Sequence, residues 1–431
     1  MKKIIAMAMC AIMALTATGC GNTAPVASKP AKTEAAETTK QAATLSLSAA
    51  EKTGSNALPE DFDYSKVNNY SEKVNDFAIK LAKKIGKDTF FASPYSVYLA
   101  LLALDTGAAE TAKEQLDSAL IPAGCDADTL LKYTGSVIEE MENNKFYKFD
   151  TASLIAADDQ YKIDPEFAKK VVQYLEGETA TIDFADENAY LAINKWAEEK
   201  TNGMIKNLNK EPIPADTAMI IANSIYFLGK WSDEFDPEET KTETFHGKGG
   251  DTKVEMMSKT FAGEGIGYAK NDVYQAAVLD YKGGASMIVY LPNEGKTTAD
   301  VLDKLEKTPQ DLANPEQRGI GTLRLPKFET ETTIDLDDAM KAMGLTEMYK
   351  SGLGGMLGMN EKDAFLSKLF QKAKIKVDEK GTEAAAVTEG QVNVTSMPAE
   401  PVQFNMTCDK PFVYSVVING NVAFMGVNSD M

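Results

Sequence analysis

The sequence predicts one α+β domain that follows a leader and a linker. Helical patterns come first in the body, because apolar residues recur at three- and four-residue spacing from Val74 to Ile85, the period of an amphipathic helix. Strand-like apolar runs dominate the second half, where two of them are interrupted at Lys282-Gly283-Gly284 and Asn419-Gly420-Asn421. Helices followed by sheets, without an internal repeat, are typical of an α+β fold.

The individual elements follow from local signals. Ser93 and Pro94 form an N-cap and a first-turn proline, so they predict the start of an apolar helix that runs through Leu104. A further helix is predicted from Thr111 to Leu120. Strands are predicted at Ala218–Phe227 and, as hairpins, at Tyr274–Leu291 and Phe412–Val427.

The composition excludes several classes of function. Of 431 residues, 44% are hydrophobic and the formal net charge is −19, which favours a folded, soluble body. Arginine occurs only at Arg318 and Arg324, so nucleic acid is not an expected partner. The single histidine, His246, leaves little room for serine or cysteine hydrolase chemistry or for a histidine-rich metal site. We therefore expect no enzyme activity, no metal and no cofactor.

The first twenty residues have the pattern of an export signal. Lys2 and Lys3 precede an apolar run from Ile4 to Leu15, and Ala17-Thr18-Gly19-Cys20 follows it. This ending resembles a bacterial lipoprotein signal, in which the cysteine is acylated. It predicts a signal peptide at 1–19 and a lipid on Cys20 that holds the exported protein on the bacterial membrane, facing the extracellular space or periplasm. The alternative is a plain secretory signal with an incidental cysteine.

A linker is predicted between the leader and the body. From Gly21 to about Asn56 the chain consists mainly of Ala, Thr, Ser, Lys and Glu, a composition that buries too little apolar surface to offset its ordering entropy. We predict a disordered tether over residues 20–65 and a folded domain over 66–431. Cys125 and Cys408 lie too far apart in sequence for their pairing to be judged.

The segment after Asp378–Gly381 has an unusual alternation. Its even positions are small or uncharged, whereas its odd positions carry both acids. Period-two alternation permits a plain amphipathic hairpin arm, or a strand that enters the middle of a sheet with its small side chains toward the core. The even positions are Thr382, Ala384, Ala386, Thr388, Gly390, Val392 and Val394, and the acids at odd positions are Glu383 and Glu389.

The stretch Glu379-Lys380-Gly381-Thr382-Glu383-Ala384-Ala385-Ala386 resembles the hinge of the serpin family. Further resemblances to the family occur in the expected order along the body. They are Phe91-Ala92-Ser93-Pro94-Tyr95-Ser96, Ala222-Asn223-Ser224-Ile225-Tyr226-Phe227-Leu228-Gly229-Lys230-Trp231, Val254-Glu255-Met256-Met257, Leu325-Pro326-Lys327-Phe328 and Asp409-Lys410-Pro411-Phe412.

The resemblance implies a fold and an activity. The fold would have a large mixed or antiparallel central sheet, further sheets, eight or nine helices, and an exposed reactive-centre loop near the C-terminus. The activity would be single-use inhibition of a serine protease: the enzyme cuts the loop, and the loop inserts into the central sheet before the acyl-enzyme is released. The protein would act as a monomer.

The resemblance also implies roles for particular residues. Glu379, Gly381, Thr382, Ala384 and Ala386 would form the hinge. Ser93, Ser96 and Asn223 would belong to the shutter beneath the central sheet, and Trp231 would mark the breach, where the loop first enters. Gln371 occupies the shutter position at which the family usually has histidine.

The loop register implied by the family places the scissile bond at Thr395-Ser396, with Ser396-Met397 as the second choice. Threonine before the bond suits a protease with a small specificity pocket, such as an elastase-like or subtilisin-like enzyme, and a cysteine protease is the alternative target. Two other functions remain open at this stage: a serpin-fold binding protein that does not inhibit, and a tethered solute-binding lipoprotein.

Overall fold

The computed structural model describes residues 43–201, 203, 205–307, 317–358, 364–382 and 401–431, and the structural statements below refer to these residues. Their helices are α1 (Tyr70–Ile85), α2 (Pro94–Gly107), α3 (Glu110–Leu120), α4 (Ala127–Glu142), α5 (Pro165–Leu175), α6 (Ala189–Lys200), α7 (Thr298–Lys307) and α8 (Asp337–Ala342). Short 3-10 helices lie at Tyr64–Lys66, Pro237–Glu239, Glu347–Tyr349 and Gly354–Leu357.

The strands alternate with these helices and then dominate the second half of the chain. They are β1 (Ser46–Leu47), β2 (Phe90–Ala92), β3 (Tyr147–Asp158), β4 (Gly177–Ile182), β5 (Met219–Lys230), β6 (Lys241–Gly247), β7 (Gly250–Lys270), β8 (Tyr274–Asp280), β9 (Ser286–Pro292), β10 (Gln317–Pro326), β11 (Phe328–Asp335), β12 (Lys368–Asp378), β13 (Gly381–Thr382), β14 (Val402–Thr407), β15 (Phe412–Ile418) and β16 (Asn421–Asn428). The α+β class is confirmed.

Two local signals in the sequence have the predicted effect. Ser93 caps α2, because its Oγ accepts a hydrogen bond from the backbone N–H of Ser96 at 3.2 Å. The turn between β15 and β16 has two consecutive residues with positive φ, Asn419 at 49° and Gly420 at 76°. This is the backbone of a two-residue hairpin turn that matches the twist of the strands, so the predicted hairpin is confirmed.

Two sheets organise the domain. Sheet A has seven strands in the order β1-β4-β3-β5-β13-β12-β11, and below the short β13 its central strands β5 and β12 pair directly and in parallel. Sheet B has nine strands, in the order β14-β10-β7-β8-β9-β15-β16-β2 with β6 paired to β7. The centre of sheet A is therefore a parallel seam between strands that are distant in sequence.

The core lies on both faces of sheet A. Helix α2 is buried along almost its whole length, and its side chains belong to the main core cluster. A second cluster packs α6 against the opposite face of the sheet, through Leu154, Ile193, Trp196 and Phe370. Residues at the centre of sheet A are consequently buried from both sides.

Residues 43–65 contact the folded body, whereas the sequence predicted a disordered tether over residues 20–65. Leu47 and Ser46 extend sheet A by pairing with Ala180 and Thr181 of β4. Asn56 is buried and donates through Nδ2 to the backbone oxygen of Gln173 at 2.8 Å. The composition argument fails here because the free edge of a strand can pair with any backbone, however polar its side chains are. Residues 20–42 of the predicted tether lie outside the described residues.

Two further observations concern the cysteines and the bilayer. Cys125 and Cys408 are both unpaired thiols. Among the described helices, none combines the length and the hydropathy required to cross a membrane.

Candidate functional site

Trp231 fixes the turn that precedes the hinge. It follows β5 directly, is buried, and stacks on Tyr281 with ring centroids 4.3 Å apart. Its indole Nε1 donates to the backbone oxygen of Asp378 at 2.9 Å, and its backbone N–H donates to the oxygen of Lys380 at 3.0 Å. One residue therefore holds both sides of the turn against the end of β5.

Glu379 is the anchor of the same turn. Its carboxylate accepts a hydrogen bond from Thr240 Oγ1 at 2.9 Å and forms an ion pair with Lys327 Nζ at 3.0 Å. Burial by itself would raise the pKa of Glu379, but hydrogen bonds and the charge of Lys327 outweigh it, so that the pKa is lowered from its ordinary value. Glu379 is thus held ionised at the start of the hinge.

Gly381 occupies a position that requires glycine. Its φ is +143°, and a Cβ placed on it would lie 2.1 Å from the backbone oxygen of Gly229. Both the conformation and the contact exclude a larger residue. The close approach allows Gly381 to pair with Lys230 of β5 on one side and with Asp378 of β12 on the other.

Thr382 is the last described residue before the loop, and it already lies within sheet A. It pairs with Gly229 and Val377, is 1% exposed, and its Oγ1 lies 2.5 Å from Tyr281 Oη. Burial raises the pKa of Tyr281, so this contact is between two neutral hydroxyl groups. The side chain of Thr382 faces inward, as the alternation in the sequence predicts.

The direct ladder between β5 and β12 covers only the first half of each strand among the described residues. Lys368–Ala373 pair with Ile220–Ile225 in parallel register, and at the upper end β13 lies between the two strands. Between these regions, the described stretches Tyr226–Leu228 and Lys374–Lys376 have no ladder partner across the seam. Among the described residues, the direct pairing of β5 with β12 therefore stops short of the point where β13 begins.

A buried polar cluster closes the lower seam. Ser96 Oγ donates to Asn223 Oδ1 at 2.7 Å, and Asn223 Nδ2 donates to Ser153 Oγ at 2.8 Å. Ser93 Oγ donates to the backbone oxygen of Ala423 at 2.7 Å, which joins the cluster to sheet B. Burial makes these hydrogen bonds expensive to break without replacement.

Gln371 is the centre of this cluster. Its Oε1 accepts from the backbone N–H of Ser93 at 2.8 Å, and its Nε2 lies 2.9 Å from Ser96 Oγ and 2.7 Å from Asn223 Oδ1. An amide offers both a donor and an acceptor without titrating. The glutamine therefore links α2, β5 and β12 through one neutral side chain.

The structure brings together most of the predicted site residues. Glu379, Gly381, Thr382 and Trp231 meet at the upper end of sheet A, while Ser93, Ser96, Asn223 and Gln371 meet beneath its middle. Ala384, Ala386, Thr395 and Ser396 of the predicted hinge and reactive bond, together with Cys20, lie outside the described residues. Their assignments remain predictions.

Sequence reasoning did not point to several residues of this arrangement, among them Tyr281, Lys327 and Ser153. Lys327 lies inside the motif Leu325-Pro326-Lys327-Phe328, but nothing local indicates its distant partner Glu379. Tyr281 adjoins the turn between β8 and β9, and Ser153 is one of several alternating residues of β3. Each acquires its role only through contacts with strands far away in the sequence.

The described residues also contain a group of carboxylates, Asp158, Asp159 and Asp183, whose oxygens lie within 4.8 Å of one another. Asp158 is buried and accepts hydrogen bonds from the backbone N–H groups of Gln160 at 3.2 Å and Phe184 at 3.3 Å. These hydrogen bonds satisfy the buried carboxylate of Asp158, which therefore has a structural role in the turn.

Comparisons with known proteins agree with this architecture. A family model described as Serpin (serine protease inhibitor) matches residues 72–430. Serpin-Z10 of Arabidopsis thaliana is 29% identical over 82% of this chain and 96% of its own length, and the leukocyte elastase inhibitor of Bos taurus is 30% identical over 81% and 95%.

The solved structures lead to the same family. The crystal structure of Serpin48 from the insect Tenebrio molitor superposes with a TM-score of 0.75 at 25% identity, covering 87% of this chain and all of that one. The family match spans both the polar cluster under sheet A and the hinge at its upper end. The chain therefore belongs to the serpin family of serine protease inhibitors.

Proposed function

We propose that this protein inhibits a protease as a suicide substrate. The nucleophile of the protease attacks the carbonyl of the residue before the scissile bond, the new amino terminus leaves, and an acyl-enzyme remains. The freed loop then inserts into sheet A between β5 and β12, carrying the attached enzyme with it. Insertion must occur before water hydrolyses the acyl-enzyme.

The observation that carries the proposal is the position of Thr382. It occupies the first inward position of a new central strand, buried and paired on both sides. Below it, the described stretches Tyr226–Leu228 and Lys374–Lys376 carry no ladder bonds to each other. Among the described residues, the first steps of insertion would therefore break no ladder hydrogen bonds between β5 and β12.

Further insertion requires the lower seam to part. The parallel pairing of Lys368–Ala373 with Ile220–Ile225 would be replaced by an antiparallel ladder on each side of the inserted strand. Antiparallel pairing is slightly more stable per residue than parallel pairing, and each net hydrogen bond contributes about 0.5–1.5 kcal/mol. At roughly 3.3 Å per residue, a loop of about 16 residues would carry its end on the order of 50 Å.

The target is proposed to be a serine protease with a small specificity pocket, because the expected bond is Thr395-Ser396. The leukocyte elastase inhibitor of Bos taurus, by its name, inhibits an elastase. An elastase-like or subtilisin-like enzyme fits a small β-branched residue at this position, whereas a long basic side chain would require an acid at the pocket floor. A cysteine protease is the alternative target.

The decisive experiment is incubation of the folded domain with a panel of such proteases. We expect a covalent complex that survives SDS, at the combined mass of inhibitor and enzyme after loss of the C-terminal fragment. Cleavage in the loop without any complex would contradict the proposal, and would instead favour a serpin-fold binding protein that does not inhibit.

We further propose that the protein is exported and lipid-anchored at Cys20. The support is the sequence Ala17-Thr18-Gly19-Cys20 after an apolar run that is too short to span a bilayer. Replacing Cys20→Ser should release the protein from membranes or block removal of the leader, as measured by fractionation and N-terminal analysis. Membrane retention of a fully processed C20S protein would refute the anchor.

A further inference from the structure

Residues 43–57 form a strap along one side of the domain, and the first half of this strap covers an edge of sheet A. Strand β1 pairs antiparallel with Ala180 and Thr181 of β4, and the backbone N–H of Ser48 donates to the oxygen of Thr179 at 2.8 Å. β4 has six residues, whereas β1 has two. Short edge strands offer little backbone for pairing with another chain. Among the described residues, the strap therefore replaces a long sheet edge with a much shorter one.

A polar clasp fastens the second half of the strap to helices α4 and α5. The side chain of Asn56 is buried: its Nδ2 donates to the backbone oxygen of Gln173 at 2.8 Å, and its Oδ1 accepts from Gln173 Nε2 at 2.8 Å. The backbone N–H of Thr53 donates to Gln173 Oε1 at 2.8 Å. On α4, Glu139 accepts from Ser55 Oγ at 2.6 Å. The strap is thus held by directed hydrogen bonds from two helices as well as by the sheet edge.

Gly135 of α4 makes room for this clasp. A Cβ placed on Gly135 would lie 3.1 Å from Asn56 Nδ2 and 3.2 Å from Asn56 Cγ, so an alanine would press against the amide. Glycine is less favourable than alanine inside a helix. Its presence at this point of α4 is explained by the close approach of the asparagine. The cleft between α4 and α5 is therefore shaped to receive the strap.

Without the strap, the edge of β4 could pair with the same edge of a second molecule. A twofold axis between Thr179 and Ala180 would set two copies of β4 antiparallel. Glu178 would then lie opposite Thr181 of the other copy, so like charges would not be directly opposed. Each Glu178 is also engaged within its own chain, where it accepts from Trp196 Nε1 at 2.6 Å. β4 contains neither lysine nor proline, the residues that commonly guard exposed edges.

We propose that the edge of β4 is a strand-addition site for a second copy of this chain, and that the strap is a displaceable cover that keeps the site closed. This surface is separate from the seam between β5 and β12, because β3 and β5 lie between β4 and that seam. The inference therefore goes beyond the proposed inhibitory function and does not depend on it. Residues 59–61, which follow the strap, are exposed, so cleavage there would separate the cover from the body.

The test is to detach the strap from the folded full-length chain. A recognition site for a highly specific protease is placed at residues 59–61, the folded protein is cleaved, and the N-terminal fragment is separated by gel filtration. We expect the uncleaved protein to remain a monomer. The body without its strap should form dimers whose population rises with protein concentration, as measured by analytical ultracentrifugation. A body that stays monomeric, or a fragment that cannot be separated even when Asn56→Ala weakens the clasp, would overturn the proposal.

A synthetic peptide of residues 43–57 distinguishes edge pairing from general aggregation. The peptide should return the body to the monomer, because it closes the same edge. A peptide with Asn56→Ala loses the three hydrogen bonds of the buried amide and should act at least about tenfold more weakly. Ser48→Pro removes the N–H that bonds to Thr179 and should also weaken the peptide, whereas Ala49→Pro, at the next, exposed residue, is the matched control and should change its effect less than about threefold. Association that the parent peptide does not reverse would contradict the strand-addition site.

Discussion

Gln371 and Asn223 lie directly opposite each other in the β12–β5 ladder, and Gln371 Nε2 donates to Asn223 Oδ1 over 2.7 Å. The two side chains are fully buried. This side-chain hydrogen bond therefore crosses the seam that the proposed loop insertion would have to open. Its strength contributes to how readily the two strands separate.

Replacing Gln371→Ala should destabilise the intact protein by about 2–4 kcal/mol, because it leaves the buried N–H of Ser93 without its acceptor and removes the bridge to Asn223. If the cleaved loop inserts as proposed, these strands separate, and the loss should be smaller in the loop-cleaved form. Denaturant unfolding of both forms measures the difference. Gln371→His, which keeps a donor and an acceptor, is the control and should lose less; equal losses in both forms would contradict the role of the bridge.

Replacing Thr382→Arg should destabilise the intact protein, because Thr382 is already buried in sheet A, and should convert the inhibitor into a substrate. The side chain at this position is 1% exposed, and burying an unpaired guanidinium costs several kcal/mol. Slow insertion then allows deacylation to finish, so at least about tenfold more inhibitor should be consumed per complex, as measured by titration and SDS gels.

Thr382→Ser is the matched control for this change, because it keeps the hydroxyl that contacts Tyr281 Oη. The serine variant should inhibit with nearly the parent stoichiometry. An arginine variant that traps protease as efficiently as the parent would show that insertion at this position is not required.

The ion pair of Glu379 should make stability depend on pH. Because the pKa of Glu379 is lowered in the folded protein, its stabilisation is complete above the unfolded value of about 4.3 and is lost as the pH falls through the folded pKa. We expect the stability difference between the parent and Glu379→Gln to be constant above about pH 5.5 and to shrink below about pH 4. Lys327→Met should weaken this dependence, and a difference that grows on acidification would contradict the sign.

The reactive bond should lie after Thr395, within about two residues. Mass spectrometry of the C-terminal fragment released from the complex measures it directly. Thr395→Arg should shift inhibition toward trypsin-like proteases, since arginine requires an acid at the base of the specificity pocket. Cleavage near Glu383 or beyond Pro401 with inhibition intact would refute the register. A fragment that begins at Met397 would support the second choice, Ser396-Met397.

Several structural features of this protein can be predicted from its sequence because they depend on local signals. The cap of α2 at Ser93 and the turn at Asn419-Gly420 depend on neighbours within a few residues, and the alternation after Gly381 predicts the inward face that Thr382 takes. Family motifs supplied the identity of the hinge and of Gln371. Period-two patterning by itself does not distinguish a hairpin arm from an inserted strand.

Only the tertiary structure shows which helices and strands contact one another. The strand Ser46–Leu47 forms because β4 offers a strand edge for pairing. The composition of the segment gives no information about that edge. The ion pair between Glu379 and Lys327 and the bond between Gln371 and Asn223 join residues that are remote in sequence. Sequence patterns depend on neighbours along the chain, whereas the pairing of β5 with β12 around Gln371 depends on which strands meet in space.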